Sequence, residues 1–315
     1  MPPPAVGVRL AWIALPAELR AAVESWLGEP VAETASQAGG FSPGVAARIT
    51  TASGRRVFLK AVGAAQNEDS PRIHRREIAI AAALPTSAPV PRLLWSYDRD
   101  GWVALLFEDI AGEQPQQPWR ADELARVLGA LNDLAAALTP SPVAEAITGR
   151  VDSWFLAHAT WWERLRASTP ATLDPWSARH LPALAALTTG AGAAATGETL
   201  LHLDLRADNI LLTAEQVYIV DWPHAQIGAA WLDLAWMLPS IAMQGGPEPE
   251  EVVADHRVLR EADPAALDAT IAAIAGYFTW SALQPSPPGL PTLRAFQDAQ
   301  GIVARRWLAR RRGWD

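Results

Sequence analysis

Three polar residues in the second half of the chain have types and spacings that suit phosphoryl transfer. Asn209 follows Asp204 by five residues, and Asp221 comes after two β-rich runs joined by a Thr-Ala-Glu-Gln turn. In phosphoryl transfer one carboxylate orients the attacking hydroxyl and accepts its proton, while a second carboxylate and an amide oxygen hold magnesium against the phosphates. We therefore predict Asp204 as the catalytic base and Asn209 and Asp221 as magnesium ligands. Each residue alone could be a turn former or a helix cap, but three independent turn residues rarely fall at this spacing with strands between them.

The neighbours of Asp204 allow more than one interpretation. We predict that His202 is a buried histidine that orients the loop, with direct proton transfer as the alternative. Arg206 is predicted to be catalytic, because a guanidinium suits phosphate oxygens and can neutralise charge on the γ-phosphate. The alternative for Arg206 is an ordinary surface arginine. Asp208 is as compatible with a turn former as with a ligand.

Lys60 is the single lysine of a chain that has 25 arginines. It lies within the apolar run Val57 to Val62, where an unpaired ammonium group is costly to bury. Glu77, on the next predicted helix, is its natural partner, and the pair would position the α- and β-phosphates of a nucleotide as in kinases. The alternative is a lysine that extends to solvent from an edge strand.

A glycine-rich segment, Ala38-Gly39-Gly40-Phe41-Ser42-Pro43-Gly44, lies between the first two predicted strands. Glycines such as Gly40 allow backbone N–H groups to approach phosphate oxygens closely. The position therefore predicts a loop that covers the phosphates. Since the segment is not a full GxGxxG, an ordinary hairpin turn is the alternative.

The elements that must position these residues fall into two groups, which we assign to residues 1–110 and 111–315. The first group consists of one opening helix that ends at Gly28, five strands and a further helix. The strands are predicted near residues 31–38, 45–51, 57–62, 92–97 and 102–110, and the further helix at 71–84. Short β-compatible segments separated by turns favour an antiparallel sheet, so the fold class is α+β.

The second group is mostly helical. Helices are predicted near residues 120–138, 151–167, 176–188, 229–243, 264–283 and 292–311. The Gly- and Ala-rich tract from Gly190 to Gly197 predicts a flexible loop. The basic end of the chain, ARRWLARRRGWD, is interpreted as the solvated face of the last helix.

The motifs together resemble those of the aminoglycoside phosphotransferase family, a branch of the protein-kinase-like fold that includes choline-type and macrolide kinases. The resemblance rests on the His-Leu-Asp motif at 202–204 with Asn209, on Asp221-Trp-Pro, and on the segment from Gly228 to Asp233. It covers most of the chain and implies a two-lobe fold with ATP in the cleft between the lobes.

The resemblance also implies roles for individual residues. Asp233 would brace the catalytic loop, although it is equally compatible with a turn former. Ser42 would contact the nucleotide phosphates, and Glu108 and Ile110 would belong to the hinge whose backbone groups hold adenine. Leu203 departs from the family, which usually has glycine there, and is expected to alter the packing of the loop more than its chemistry.

Composition limits the possible partners and locations. The net charge of −8 argues against a nucleic-acid partner and favours a cationic ligand. The chain has no cysteine, which excludes disulfides and thiolate chemistry. It also has no apolar stretch long enough for a membrane span and no secretory pattern at its start, so no membrane partner and a cytoplasmic location are expected.

We therefore predict an enzyme that uses ATP and Mg²⁺ to phosphorylate a hydroxyl group of a small molecule. An aminoglycoside or other cationic antibiotic is the first hypothesis for the acceptor, because the chain is acidic. A small-metabolite kinase that acts on an amino alcohol or a sugar is the alternative. A catalytically silent nucleotide-binding protein is less compatible with the motifs, since Lys60, Glu77, Asp204, Asn209 and Asp221 are all present.

Overall fold

A five-stranded antiparallel sheet occupies the first third of the computed structural model. The structure describes residues 9–37, 39, 43–155, 160–287 and 290–314, except the side chains of residues 154 and 155. The strands are β1 (Val31–Ser36), β2 (Val45–Thr51), β3 (Arg56–Gly63), β4 (Leu93–Arg99) and β5 (Trp102–Glu108). Their order in the sheet is β1-β2-β3-β5-β4. With the helices α1 (Ala17–Leu27) and α2 (Ser70–Ala83), they form what we call the sheet lobe.

The two faces of this sheet have different partners because side chains alternate along each strand. On one face, Val57, Leu59 and Ala61 of β3 join the apolar cluster that α1 covers. On the other face, Phe58 and Lys60 point into the space between the sheet and the rest of the chain. The period of two in β3 therefore places the lysine on the face opposite α1.

The helical lobe follows the sheet lobe and contains ten α-helices in the described residues. These are α3 (Ala121–Ala137), α4 (Glu145–Thr148), α5 (Trp161–Ser168), α6 (Pro175–Thr188), α7 (Ala191–Ala194), α8 (Leu232–Met243), α9 (Pro249–Asp255), α10 (Arg257–Arg260), α11 (Pro264–Ala282) and α12 (Leu293–Arg312). Two of them begin with an Asp-Pro pair. Asp174 and Asp263 each accept a hydrogen bond from a backbone N–H of the first turn, and the following proline has the φ angle that a helix needs.

Four short strands are inserted in this lobe and carry the polar motif. They are β6 (Thr199–Leu201), β7 (Ile210–Leu212), β8 (Val217–Ile219) and β9 (Gln226–Gly228). β6 pairs with β9, and β7 pairs with β8 as a hairpin, all antiparallel. The loop from β6 to β7 and the segment from β8 to β9 therefore lie side by side.

The largest apolar core lies among the long helices of the helical lobe. Trp162 is fully buried there, and its indole N–H donates to the carbonyl oxygen of Ala272 at 2.8 Å. A side chain at Gly276 would meet the Trp162 ring at 2.7 Å, so only glycine allows α5 and α11 to approach this closely. The described architecture confirms the predicted α+β fold, with a five-stranded antiparallel sheet and a mostly helical second part. The division at residue 110 stays a prediction.

Two local predictions differ from the structure. The tract from Gly190 to Gly197 is not a continuous loop, because α7 forms a helical turn in it and buries Ala191 and Ala195. The helix predicted over 151–167 is replaced by a π-helical turn at Val151–Phe155 and by the separate helix α5. Alanine-rich composition describes loops and tightly packed short helices equally well, since alanine leaves room for close approach.

The basic C-terminal segment lies on α12 with Arg306, Arg310 and Arg312 exposed, as predicted, but it also makes ion pairs that the sequence did not predict. Arg311 lies 2.7 Å from Glu250 and 2.6 Å from Asp268, and Arg312 lies 3.2 Å from Asp268. Arg310 pairs with Glu248 at 2.6 Å. These acids come from the start of α9 and from α11, more than 40 positions away in the chain, so a local reading of charge could not find them.

Among the described residues, none of the helices combines the length and the apolarity that crossing a membrane requires.

Candidate active site

The loop between β6 and β7 is held by a carboxylate from α8. Asp233 accepts hydrogen bonds from the backbone N–H groups of His202 at 2.8 Å and Leu203 at 2.7 Å. Leu203 has a φ angle of 60°, in the left-handed region that favours glycine. Both oxygens of Asp233 thus fix the backbone just before Asp204, and they help to hold a leucine in a conformation that costs about 1 kcal/mol or more.

His202 connects this loop to the segment that follows β8. Its ring is fully buried, its Nε2 donates to the carbonyl oxygen of Val220 at 2.9 Å, and its Nδ1 accepts from the backbone N–H of Asp204 at 3.1 Å. The ring also makes an edge contact with Trp222, with 4.8 Å between centroids. Burial lowers the pKa of His202, so the ring stays neutral and can serve both hydrogen bonds.

Asp204 lies at the end of this framework. Its carboxylate contacts the guanidinium of Arg206, and Asn209 Nδ2 donates to the backbone oxygen of Asp204 at 2.8 Å. Burial raises the pKa of Asp204 in spite of the charge of Arg206. The raised pKa makes this carboxylate a stronger proton acceptor than an exposed aspartate.

Arg206 is held between two carboxylates. Besides Asp204 it contacts both oxygens of Asp208, with Nε at 2.9 Å and Nη2 at 3.0 Å. Its guanidinium carbon lies 5.9 Å from the centre of the Phe296 ring. The structure therefore places Arg206 beside the predicted base, with one side of its environment formed by α12.

Lys60 bridges the two lobes at the cleft. Its Nζ lies 2.6 Å from Glu77 Oε1 and 2.6 Å from Asp221 Oδ1. Burial alone would lower the pKa of Lys60, but the charges of Asp221 and Glu77 raise it above its ordinary value, so the ammonium stays charged. Burial also works against the charged form of Asp221, yet Lys60 holds the pKa of Asp221 well below its usual range. Asp221 has a φ angle of 70°, a second left-handed residue near the site.

Asn209 and Asp221 are adjacent through the backbone, because the N–H of Val220 donates to the carbonyl oxygen of Asn209 at 3.0 Å. The amide nitrogen of Asn209 is directed to Asp204, which leaves the amide oxygen for other partners. Asp221 likewise has a second carboxylate oxygen besides the one bonded to Lys60. Within the described ranges, no three His, Asp or Glu side chains form a metal site by themselves.

A cleft of about 460 Å³ separates the lobes. The sequence-predicted residues that line it are Lys60, Glu77, Glu108, Ile110, Asn209 and Asp221. The predicted phosphate-loop residues Gly40 and Ser42 lie outside the described residues. His202 and Asp233 line neither this cleft nor the cavity described next, and support the loop from behind.

Two arginines of the cleft were not found from the sequence. Arg48 of β2 donates to Asp109 Oδ1 at 2.9 Å and to the carbonyl oxygen of Ile110 at 3.2 Å, so it fixes the segment that joins the lobes. Arg9 also lines the cleft, where burial lowers its pKa and the charge of Asp221 opposes that effect. A charged residue between apolar neighbours in a strand, as in Val-Ala-Ala-Arg48-Ile, was the available signal for Arg48.

A second cavity of about 660 Å³ opens on the other side of Asp221. Asp204 and Arg206 line this second cavity, and Asp221 lines both it and the cleft. We call it the aromatic cavity, because Trp236, Tyr277, Phe278 and Phe296 line it. Its residues come from α2, from the β6–β7 loop and from α8, α11 and α12.

Comparison with known proteins identifies the family of this chain. Residues 35–285 match the model of the phosphotransferase enzyme family, APH. Because the match covers most of the chain, the protein belongs to this family, and the predicted family resemblance is confirmed. No curated protein sequence matches the chain significantly.

Solved structures share the fold. A choline/ethanolamine kinase family protein from Mesorhizobium loti is 19% identical, with a TM-score of 0.61 over 93% of this chain and 94% of that one. Amicoumacin kinase hAmiN, in complex with AMP-PNP, Ca²⁺ and Ami, is 11% identical, with a TM-score of 0.58 over 92% and 94% of the two chains. The gentamicin complex of APH(2″)-IIa is 13% identical, with a TM-score of 0.56 over 93% and 96%. At these identities the comparison establishes the kinase-like fold of this chain.

Proposed function

We propose that this phosphotransferase transfers the γ-phosphate of ATP to a hydroxyl group of a small molecule with the help of Mg²⁺. The observation that carries the proposal is that the cleft and the aromatic cavity meet at Asp221, with Lys60 on one side and Asp204 on the other. A donor in the cleft and an acceptor in the aromatic cavity would face each other across this point. The complex of a structural neighbour with AMP-PNP and Ca²⁺ supports a nucleotide and a divalent cation here.

The cleft suits a nucleotide triphosphate. Lys60 offers a compact positive charge for phosphate oxygens, and Glu77 fixes its position from α2. Glu108 and Ile110 also line the cleft, and their backbone groups would hold the adenine. Arg48 and Arg56 both pair with the buried Asp109, at 2.9 and 2.5 Å, and so keep this segment in place.

Asn209 and Asp221 would hold the cation, because a carboxylate and an amide oxygen are ligands that Mg²⁺ accepts. Mg²⁺ bound there would neutralise charge on the phosphates and orient them. Water and phosphate oxygens commonly complete the shell of Mg²⁺, so two protein ligands are sufficient for this donor set.

Asp204 would accept the proton of the acceptor hydroxyl. Its backbone is fixed by His202, and the backbone of the preceding residues by Asp233, so the carboxylate is positioned before an acceptor binds. Arg206 lies next to it and would stabilise negative charge as the phosphoryl group moves. Little covalent chemistry is asked of the protein beyond this positioning and charge stabilisation.

The proposal is tested by ADP release and product mass in the presence of Mg²⁺ and ATP, over acceptors that include aminoglycosides, amino alcohols, sugars and apolar hydroxyl compounds. Asp204→Asn should reduce turnover at least 1,000-fold while ATP affinity changes less than threefold. Asp122→Asn, the same chemical change at an exposed position of α3, is the matched control and should keep wild-type turnover. ATP binding with no acceptor-dependent ADP release over the whole set would contradict the proposal and favour a silent nucleotide-binding protein.

A further inference from the structure

We infer that the acceptor is a hydroxyl compound with a largely apolar body and at most one positive charge, and not a polycationic aminoglycoside. This inference rests on the proposed function and concerns the aromatic cavity beside Asp204. It differs from the expectation of a cationic antibiotic, which was based on the net charge of −8, because that charge is not concentrated at this cavity.

The size of the cavity is the first argument. Its volume of about 660 Å³ falls within the roughly 300–1,000 Å³ that holds drug-sized ligands. A small amino alcohol would fill only a minor part of this space and would leave apolar walls exposed to water. The cavity is therefore matched to a larger molecule.

The walls are the second argument. Trp236 of α8 and Tyr277 of α11 are half-buried, with 6.0 Å between ring centroids, and Phe278 packs against both. Leu290 and Leu293 approach from the segment that begins α12 and are also half-buried. An apolar ligand would cover these surfaces and gain about 25 cal/mol for each Å² removed from water.

The distribution of charge is the third argument. The carboxylates among the described lining residues are Asp69, Asp204 and Asp221. Asp204 contacts Arg206 and Asp221 contacts Lys60, so both already have a cationic partner. Asp69 lies at the rim with its side chain 75% exposed, where solvent screens its charge.

The parts of the chain outside the described ranges do not change this balance of charge. They contain a single acidic residue, the C-terminal Asp315. A polycation needs several carboxylates that lack cationic partners, because each desolvated amino group must be compensated. Among the described lining residues, Asp69 is the one carboxylate without a buried cationic partner, because its own partner Arg72, 3.7 Å away, is exposed. Arg206 adds a positive charge beside the reacting position.

Neutral polar groups are the fourth argument. Gln300 is 5% exposed, lines the cavity, and has no hydrogen-bond partner for its side chain among the described residues. Gln226 is 3% exposed, and its buried Oε1 also lacks a partner there. Burial lowers the pKa of His74, a further lining residue, to about 4, so it is neutral at pH 7. Buried amides that lack partners suit uncharged hydroxyl, carbonyl or ether groups of a ligand.

Calorimetric binding to the protein saturated with Mg²⁺ and a non-hydrolysable ATP analogue tests the inference. One panel contains aryl glycosides, polyphenols and macrolide lactones, and the other contains kanamycin, neomycin and gentamicin. The expected result is that at least one compound of the first panel binds ten or more times as tightly as every aminoglycoside. Tighter binding of any aminoglycoside, or no binding by any compound of the first panel, would overturn it.

Two variants link the result to the cavity. Trp236→Ala should weaken the best apolar ligand at least tenfold, whereas Trp26→Ala, at a half-buried tryptophan of the sheet lobe outside the cavity, should leave its affinity within twofold. Gln300→Glu keeps the size of the side chain and adds a negative charge. It should therefore reduce, at least fivefold, the ratio of the affinity for the best apolar ligand to the affinity for aminoglycosides. Unchanged affinity for the best apolar ligand in Trp236→Ala, together with an unchanged affinity ratio in Gln300→Glu, would contradict the assignment of the site.

Failure of the inference and failure of the proposed function give different results. Turnover of an aminoglycoside that depends on Asp204 would overturn the inference and keep the proposed function. Tight binding of an apolar hydroxyl compound without ADP release would keep the inference about the cavity and contradict the proposed transfer.

Discussion

The ammonium group of Lys60, in the sheet lobe, lies 2.6 Å from a carboxylate oxygen of Asp221, in the helical lobe. This ion pair crosses the cleft at the point where the aromatic cavity begins. A third charged group, Glu77 of α2, lies at the same distance from the ammonium. One cation therefore connects the sheet, α2 and the proposed metal ligand.

The first prediction concerns the replacement of that cation. Lys60→Met should lower kcat/KM for ATP at least 100-fold, about 3 kcal/mol, because it removes the charge that would contact the phosphates. Lys60→Arg should restore less than a tenth of the activity, because a planar guanidinium cannot replace a compact ammonium between two carboxylates. Steady-state kinetics and calorimetric ATP binding measure the effect. Wild-type activity in Lys60→Arg would show that charge alone is sufficient.

The second prediction concerns pH and His74. Its pKa of about 4 in the folded protein, caused first by burial and then by the charge of Lys60, is below the ordinary 6.5. The unfolded chain therefore binds the proton more tightly between these pH values, and the free energy of unfolding decreases as pH falls from 6.5 toward 4. From pH 7 to pH 5 the free energy of unfolding of the wild type should therefore fall by about 2 kcal/mol more than that of His74→Gln.

Urea unfolding of both proteins at the two pH values measures this difference, and other titrating groups affect both proteins alike. Glutamine can retain the hydrogen bond that His74 Nδ1 donates to the carbonyl oxygen of Ser70 at 3.1 Å. Parallel pH profiles for the two proteins would contradict a neutral, buried His74.

The third prediction concerns Asp233, which holds the loop that carries Asp204. Asp233→Asn should lower the free energy of unfolding by about 2–3 kcal/mol, because an amide offers one oxygen where two backbone N–H groups need acceptors. Since the loop carries Asp204, kcat should fall more than tenfold while the affinity for ATP changes little. Chemical denaturation and kinetics measure the two effects, with Asp122→Asn as control. An equal loss of kcat and ATP affinity would indicate a wider collapse of the site.

The fourth prediction concerns α2. Arg76 Nη2 donates to the carbonyl oxygens of Thr148 at 2.6 Å and Ala225 at 2.7 Å, and so ties α2 to the helical lobe next to Glu77. Arg76→Gln should destabilise the protein by about 1–3 kcal/mol and raise KM for ATP several-fold, because Glu77 would lose its fixed position.

Arg75→Gln is the matched control for Arg76→Gln. Its guanidinium pairs with Asp98 on the surface, at 2.7 and 2.8 Å, and such pairs contribute about 1 kcal/mol or less. Equal effects of the two substitutions on KM would contradict the role of Arg76 as a connection between the lobes.

Regular periodicity explains what could be predicted from the sequence. The period of two around Lys60 and the helical period around Glu77 placed both residues on facing elements, and turn residues marked the ends of the strands. In the structure, Asp204 and Asn209 lie in one loop between two short strands, as their spacing predicted. These features depend on neighbours within about ten positions, which sequence patterns describe well.

Contacts between distant segments explain what could not be predicted. The aromatic cavity combines Trp236, Tyr277 and Phe296 from three helices, and no local pattern distinguishes them from the other tryptophans and phenylalanines of the core. Arg206 lies next to Asp204, but its bonds to Asp208 depend on the exact course of the loop and could not be predicted. The strand β9, only three residues long, forms because β6 is available to pair with it.

Because the chain has one lysine, a protease that cuts after lysine can cleave it at one position only. The bond after Lys60 lies in the middle of β3, which pairs with β2 on one side and β5 on the other. Cleavage there requires the sheet to open, since a protease binds its substrate as an extended, unpaired segment. The rate of this single cut therefore measures how often the sheet lobe opens, and its dependence on added nucleotide measures how strongly the ligand closes it.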